Sequence, residues 1–156
     1  MGDGGSTGPA VEIGTGTVAF EPLTEGQRLG LVAGPQGGHH FVLHVRMMGL
    51  TPGDSRDSGN ADNPSTLFTV RNEDGDQVEL RTDPRTLGFQ EDEGGFFRWA
   101  SARNIEVIEA TVDTLIDRTA QIRVEIEDVD GRMASDEITV EVFEIPLQGV
   151  GPAPIP

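Results

Sequence analysis

Two apolar runs near the C-terminal end of the chain alternate strictly with polar residues and flank an Asp-Gly pair. The apolar positions are Ile122, Val124, Ile126, Ile138, Val140 and Val142. Successive side chains of a β-strand point to opposite faces, so this spacing predicts two strands that each bury one face. Asp130-Gly131 between them is typical of a tight type I′ turn, in which both central residues have positive φ. The pattern therefore predicts an antiparallel hairpin.

The same alternation occurs from His39 to Met48, where the odd positions Phe41, Leu43, Val45 and Met47 are all apolar. A second Asp-Gly pair, Asp74-Gly75, predicts another hairpin. The 21 glycines and 10 prolines fit short elements joined by turns, and no helical segment stands out. We therefore expect an all-β fold, an immunoglobulin-like antiparallel β-sandwich of about eight or nine strands.

The composition divides the chain into three parts. Residues 1–10 are Gly-rich and polar and predict a flexible tether, residues 11–146 predict the sandwich domain, and residues 147–156 predict a Pro/Gly-rich tail. No signal sequence is visible and no apolar run is long enough to span a bilayer. A tether of this composition is expected after a removed signal or lipid anchor. We therefore expect an extracytoplasmic protein of the periplasm or cell surface.

The net charge limits the partners. Lys and Arg number 11 against 27 Asp and Glu, for a formal net charge of −16, which repels nucleic acid and anionic lipid. The chain has no cysteine, so disulfides, thiolate nucleophiles and cysteine-rich zinc sites are excluded. No Gly-x-Ser-x-Gly motif is present, and carboxylates such as Glu125 and Glu127 fall on predicted wet faces. We predict that the protein is not an enzyme.

A family resemblance rests on two segments. The block Gly34-Pro35-Gln36-Gly37-Gly38-His39-His40 runs into an alternating strand, and a late Asp-Gly hairpin follows. Together they resemble uncharacterised secreted lipoprotein domains of some Gram-negative bacteria. The resemblance implies a cell-envelope location and an immunoglobulin-like fold, and it implies no activity and no site residue.

Potential metal ligands cluster in one short stretch that comprises His39, His40, His44, Met47 and Met48. Imidazole and thioether ligands suit copper and related transition metals, so this cluster is an alternative functional site. A regular strand opposes it, because neighbouring side chains face opposite ways and positions four apart are separated by roughly 13 Å. A bulge at Gly37-Gly38, or a ligand from another strand, would be required. Otherwise the histidines have a structural role.

Calcium is the other cofactor considered, because several turns are acidic. The candidate segments are residues 54–62, 73–76 and 127–130. None has the full arrangement of alternating ligands, a glycine and a distal glutamate. The prediction is therefore no cofactor, with copper or calcium as the alternative.

The aromatic residues Phe96, Phe97 and Trp99 follow Gly94-Gly95 and include the only tryptophan. They predict either a platform for a sugar or protein partner or a plug in the core. We expect a non-catalytic extracytoplasmic binding or scaffolding module, tethered at the envelope, that contacts a cell-surface protein or glycan through loops. The alternative is a copper-like metal-binding protein that uses the histidine cluster. An exposed aromatic or apolar patch would favour partner binding.

Overall fold

The computed structural model describes residues 9–17, 19–34, 38–81 and 84–146. Its strands are β1 (Ala10–Thr15), β2 (Glu21–Pro22), β3 (Arg28–Ala33), β4 (His39–Met48), β5 (Ser65–Asn72), β6 (Gln77–Val78), β7 (Arg85–Thr86), β8 (Gln90–Glu91), β9 (Phe97–Arg98), β10 (Arg103–Val107), β11 (Thr119–Glu127) and β12 (Met133–Ile145). The only helical segments in these ranges are 3-10 turns at Glu93–Gly95 and Glu109–Thr114. No helix within these ranges is long and apolar enough to cross a membrane. The predicted tail, and the predicted tether up to residue 8, lie outside the described residues.

The strands form two layers joined at one corner. In the first layer, β4 lies between β1 on one side and β9 and β10 on the other. The second layer has the order β3-β12-β11-β5, with β6 and β7 along the outer edge of β5. Two residue pairs between β3 and β4 connect the layers. The longer strands are divided between two layers as in an immunoglobulin-like sandwich. The predicted fold class is therefore confirmed.

The pairing adds two features to the prediction. Strands β3 and β12 run parallel, so the sheet is mixed rather than purely antiparallel. Five of the strands, β2, β6, β7, β8 and β9, contain two residues each. Such short pieces carry no alternation pattern, which is why the sequence indicates fewer strands than the structure contains.

The core lies between the layers. The odd residues of β4, Phe41, Leu43, Val45 and Met47, are fully buried, as their alternation predicts. They share one continuous apolar cluster with the inward-facing residues of the last hairpin, which are Ala120, Ile122, Val124, Ile126, Ile138, Val140 and Val142. Alternation along a strand therefore places one apolar face of each sheet against the other.

Both predicted Asp-Gly hairpins form, but their turns differ from the predicted type I′. Gly75 and Gly131 have φ of 87° and 85°, whereas Asp117 is the only non-glycine residue with positive φ in the described ranges. Asp74 and Asp130 therefore do not adopt the left-handed conformation. Each loop has three residues, with a left-handed glycine last, as in a type I turn followed by a bulge.

A side chain at the start of each turn explains this choice. Oδ1 of Asn72 accepts the backbone N–H groups two and four residues later, at 3.0 and 3.1 Å. Oδ1 of Asp128 accepts the equivalent groups at 3.0 and 2.9 Å. Asn and Asp favour such turns because their side chains imitate a backbone carbonyl. The two hairpins thus have the same kind of turn, capped by a side chain at its first residue.

Candidate functional site

The histidine cluster does not converge on one point. Strand β4 pairs residue by residue with β10 from His39 to Leu43 and with β1 from His44 to Met48, so it contains no bulge. Gly37, where a bulge would be required, lies outside the described residues. His39 consequently faces inward and His40 outward. In the described part of the chain, no three His, Cys, Asp or Glu side chains are placed to hold one metal ion. The arrangement that the metal hypothesis requires is not seen there.

His39 makes two ion pairs at the end of the sandwich. Its Nδ1 lies 3.0 Å from Glu109 Oε1, and its Nε2 lies 2.9 Å from Glu144 Oε2. A neutral imidazole has one N–H, so donation to both carboxylates requires the protonated ring. Burial by itself lowers the pKa of His39, but the hydrogen bonds and charges of Glu144 and Glu109 outweigh it, and the pKa is raised. This histidine ties β4 to β12 and to the 3-10 turn at Glu109–Thr114.

The remaining members of the cluster are placed separately. His44 is fully buried, its Nδ1 accepts the Val45 N–H at 3.0 Å, and its ring meets Phe20 edge to face with the centroids 5.6 Å apart. Met47 lies in the core, whereas Met48 is half-buried on the opposite face of β4. These contacts are those of structural side chains.

The three aromatic residues also lie in three environments. Trp99 is 1% exposed and packs against Phe68 and Phe89, with ring centroids 6.0 and 6.3 Å away. Its position is that of a core plug. Phe96 lies on the outside, with the Arg46 guanidinium 4.0 Å from its ring centroid. Phe97 is half-buried, packs against the core and lines a cleft.

That cleft brings Phe97 together with polar residues from two segments of the chain. Its volume is about 630 Å³, within the roughly 300–1,000 Å³ typical of small-molecule sites. One wall is the loop that follows β4, and the other is β8 with β9. The lining residues are Pro52, Gly53, Asp54, Ser55, Arg56, Asn60, Phe89, Gln90, Glu91 and Phe97. We call it the loop cleft.

Consecutive side-chain-capped turns build the loop wall. Oδ1 of Asp54, Asp57 and Asn60 each accepts the backbone N–H two residues later, at 2.9, 3.1 and 2.9 Å. Asn63 completes the series, because its Oδ1 accepts the Asp54 N–H at 2.9 Å and its Nδ2 donates to the Asp57 carbonyl at 2.9 Å. These acidic and amide side chains therefore already cap the backbone of the segment that was a calcium candidate.

Gly88 lets the loop approach the segment before β8 closely, and Gly53 lets the two ends of the loop pack against each other. A Cβ on Gly88 would overlap the carbonyl group of Asp54 and lie 2.6 Å from Asn63 Oδ1. Gly53 has a φ of 68°, and a Cβ there would lie 2.7 Å from the Asn63 Cα. The Phe89 N–H donates to the Pro52 carbonyl at 2.8 Å and fixes the two walls together. The loop cleft is therefore preorganised.

Sequence reasoning identified Phe97 but missed the polar lining. Asp54, Ser55 and Asn60 enter the sequence analysis only as part of the calcium candidate at residues 54–62, and Gln90 and Glu91 do not enter it. A usable signal was present, because Asp or Asn occurs at every third position from residue 54 to residue 63. This spacing indicates successive capped turns, and hence an ordered loop.

Comparison with known proteins yields only partial superpositions on solved structures. No protein-family model and no curated protein matches the sequence. The periplasmic chaperone SfaE superposes with a TM-score of 0.40 and 12% identity over 92% of this chain, which spans 60% of SfaE. Self-complemented MyfA, the major subunit of Myf fimbriae from Yersinia enterocolitica, superposes at 0.32 with 14% identity, covering 87% of this chain and 99% of MyfA. The same subunit in complex with galactose gives 0.30 at 13% identity, covering 85% and 95%. The fold assignment above rests on the strand pairing.

Proposed function

We propose that this protein is a non-catalytic extracytoplasmic binding module and that the loop cleft is its binding site. The observation that carries the proposal is the preorganised wall. The hydrogen bonds of Asn63 fix the loop internally. The Phe89 N–H bond to the Pro52 carbonyl and the close approach at Gly88 hold the loop against the segment before β8. A rigid site loses little conformational entropy when it takes up a ligand, so preorganisation favours binding. Connecting loops on a rigid scaffold are also where sandwich proteins place recognition.

The rest of the described surface offers little for apolar docking. The large hydrophobic side chains exposed in these ranges are Leu67, Val129 and Met133. Protein-binding surfaces are marked by contiguous apolar patches, usually with aromatic anchors. Trp99, the aromatic residue best suited to be an anchor, is buried. A recessed polar cleft is therefore a better candidate site than a flat contact surface.

The extracytoplasmic and tethered parts of the proposal rest on the sequence. The first residues have the composition of a linker, the last residues are rich in Pro and Gly, and two segments resemble secreted lipoprotein domains. Fractionation of the native host, with the protein detected by antibody, tests the location. Recovery with the cytoplasmic fraction would contradict it.

Binding is tested by blocking the cleft. Ser55→Trp places an indole in the loop cleft, and Ser135→Trp places the same group on the exposed face of β12 as a matched control. Ligand-observed NMR with a panel of neutral saccharides and a panel of short peptides should give binding that Ser55→Trp removes and Ser135→Trp retains. The proposal is contradicted if no member of either panel binds. It is also contradicted if Ser55→Trp leaves the binding unchanged.

A further inference from the structure

The loop cleft presents hydrogen-bond donors and acceptors side by side. Oδ1 of Asn60 caps the Asp62 N–H at 2.9 Å, which leaves the Asn60 amide nitrogen as a donor without a hydrogen-bond partner in the described structure. Gln90 pairs with Arg98 and Glu91 with Phe97, so the Gln90 side chain lies on the opposite face of β8, where its Oε1 accepts the Ser55 hydroxyl at 3.4 Å. Glu91 also lines the cleft, and its carboxylate makes no ion pair with any described residue.

This set of groups has a defined chemical complement. Carboxylates only accept hydrogen bonds and amide nitrogens only donate them, so a matching ligand must do both from neighbouring atoms. A hydroxyl group does both. Phe97 lines the same cleft and offers an apolar aromatic surface beside the polar groups. Vicinal hydroxyls above an apolar ring face are the chemistry of a saccharide.

The negative charge of the cleft favours neutral saccharides over anionic ones. Asp54 and Glu91 both line the cleft, Arg56 already pairs with Asp54 at 3.5 Å, and the protein carries a formal net charge of −16. An anionic sugar would meet these carboxylates in a repulsive field. We propose, on the basis of the function proposed above, that the ligand of the loop cleft is a neutral saccharide. Phe97, Glu91 and the amide of Asn60 contact it.

The test is an NMR titration of the isotope-labelled protein with D-glucose, D-galactose, D-mannose, N-acetyl-D-glucosamine and their short oligomers. N-acetylneuraminic acid serves as the anionic comparison. At least one neutral sugar should shift the backbone amides that line the loop cleft, and the anionic sugar should not. Phe97→Leu keeps an apolar side chain in the sheet but removes the aromatic face. Glu91→Gln removes the charged acceptor from an exposed position.

Glu91→Gln should raise the dissociation constant about tenfold, the scale of one lost hydrogen bond to a charged group. Phe97→Leu should raise it by up to about tenfold, because the aromatic contact is lost. Glu125→Gln, on the outer face of β11, is the control and should leave it unchanged. Asn60→Asp retains the turn cap, removes the amide donor and should also weaken binding.

The outcomes separate the ligand class from the function. If peptides shift the cleft amides and neutral sugars do not, the saccharide inference is wrong and the proposed function stands. If neither shifts them, both are wrong. Sugar binding that shifts residues elsewhere, or that Phe97→Leu and Glu91→Gln leave unchanged, also overturns the inference.

Discussion

Two buried polar side chains, those of His39 and Asp128, each bond to residues that are distant in the sequence and so hold the ends of the sandwich together. His39 joins Glu109, 70 residues away, and Glu144, 105 residues away. Asp128 does the same at another point, because its Oδ2 accepts the Thr51 N–H at 2.9 Å while its Oδ1 caps its own turn. Both are polar groups buried with partners, and burial is costly only when the partners are missing. Each therefore makes a sharp mutational prediction.

The ion pairs of His39 should make stability depend on pH. Because the pKa of His39 is raised in the folded state, its stabilisation is complete below the unfolded value of about 6.5 and is lost as pH rises through the folded pKa. The difference in melting temperature between wild type and His39→Gln should therefore shrink from mildly acidic to mildly alkaline pH. Thermal unfolding of both proteins across this range measures it.

His40→Gln is the matched control. Burial lowers the pKa of His40, outweighing the opposing charge of Glu106, so its contribution to stability should rise with pH through the window just below 6.5. A constant difference for His39→Gln, or the same pH trend for both variants, would contradict the assigned ion pairs.

Asp128 should tolerate amide replacement better than truncation. Asp128→Ala leaves three backbone N–H groups without their acceptor and should cost about 2–4 kcal/mol in the free energy of unfolding. Asp128→Asn keeps the turn cap that Asn72 provides in the other hairpin but loses the acceptor for Thr51, so it should cost about half as much. Urea denaturation of both variants gives the ranking, and equal costs would contradict it.

At the scale of elements, the loop cleft depends on how closely the loop after β4 meets the segment before β8. Gly88→Ala should force the two walls apart, because its Cβ would overlap the Asp54 carbonyl. We expect a loss of about 1–3 kcal/mol in unfolding free energy, the usual cost of overpacking. Shifts of the amide signals that line the cleft should accompany it.

Gly59→Ala in the same loop is the control, since its Cβ would come no closer than 3.7 Å to the nearest atom, Asp57 Oδ1. Chemical denaturation and amide NMR spectra should show a near-neutral change. If both alanine variants behave alike, the close contact at Gly88 does not shape the cleft.

At the scale of the whole molecule, the formal charge of −16 acts against the compact state. Like charges repel over the surface, and salt screens that repulsion over a Debye length of about 10 Å at 0.1 M. The melting temperature should rise by a few degrees between low and physiological ionic strength. A fall would mean that the surface ion pairs, such as Arg118 with Glu73 at 2.7 Å, outweigh the net repulsion.

The sequence by itself determined the strands with long alternating patterns and, from them, the all-β class. Alternation along β4, β11 and β12 is a local property, because each residue's face is set by its neighbours in the chain. The two Asp-Gly hairpins were also local. Their turn type is local as well, but the Asp-Gly pair alone does not specify it, because Asn72 and Asp128 capture the backbone groups two and four residues later.

Only the tertiary structure decided the pairing of the strands and the location of the candidate site. The parallel pairing of β3 with β12, the ion pairs of His39 and the two walls of the loop cleft join segments that are distant in sequence. Such contacts leave no periodic pattern, since they are chosen by packing of the whole core. The same packing buried Trp99 and left Phe97 half-buried, packed against the core and lining the cleft, a difference that three neighbouring aromatic residues do not encode.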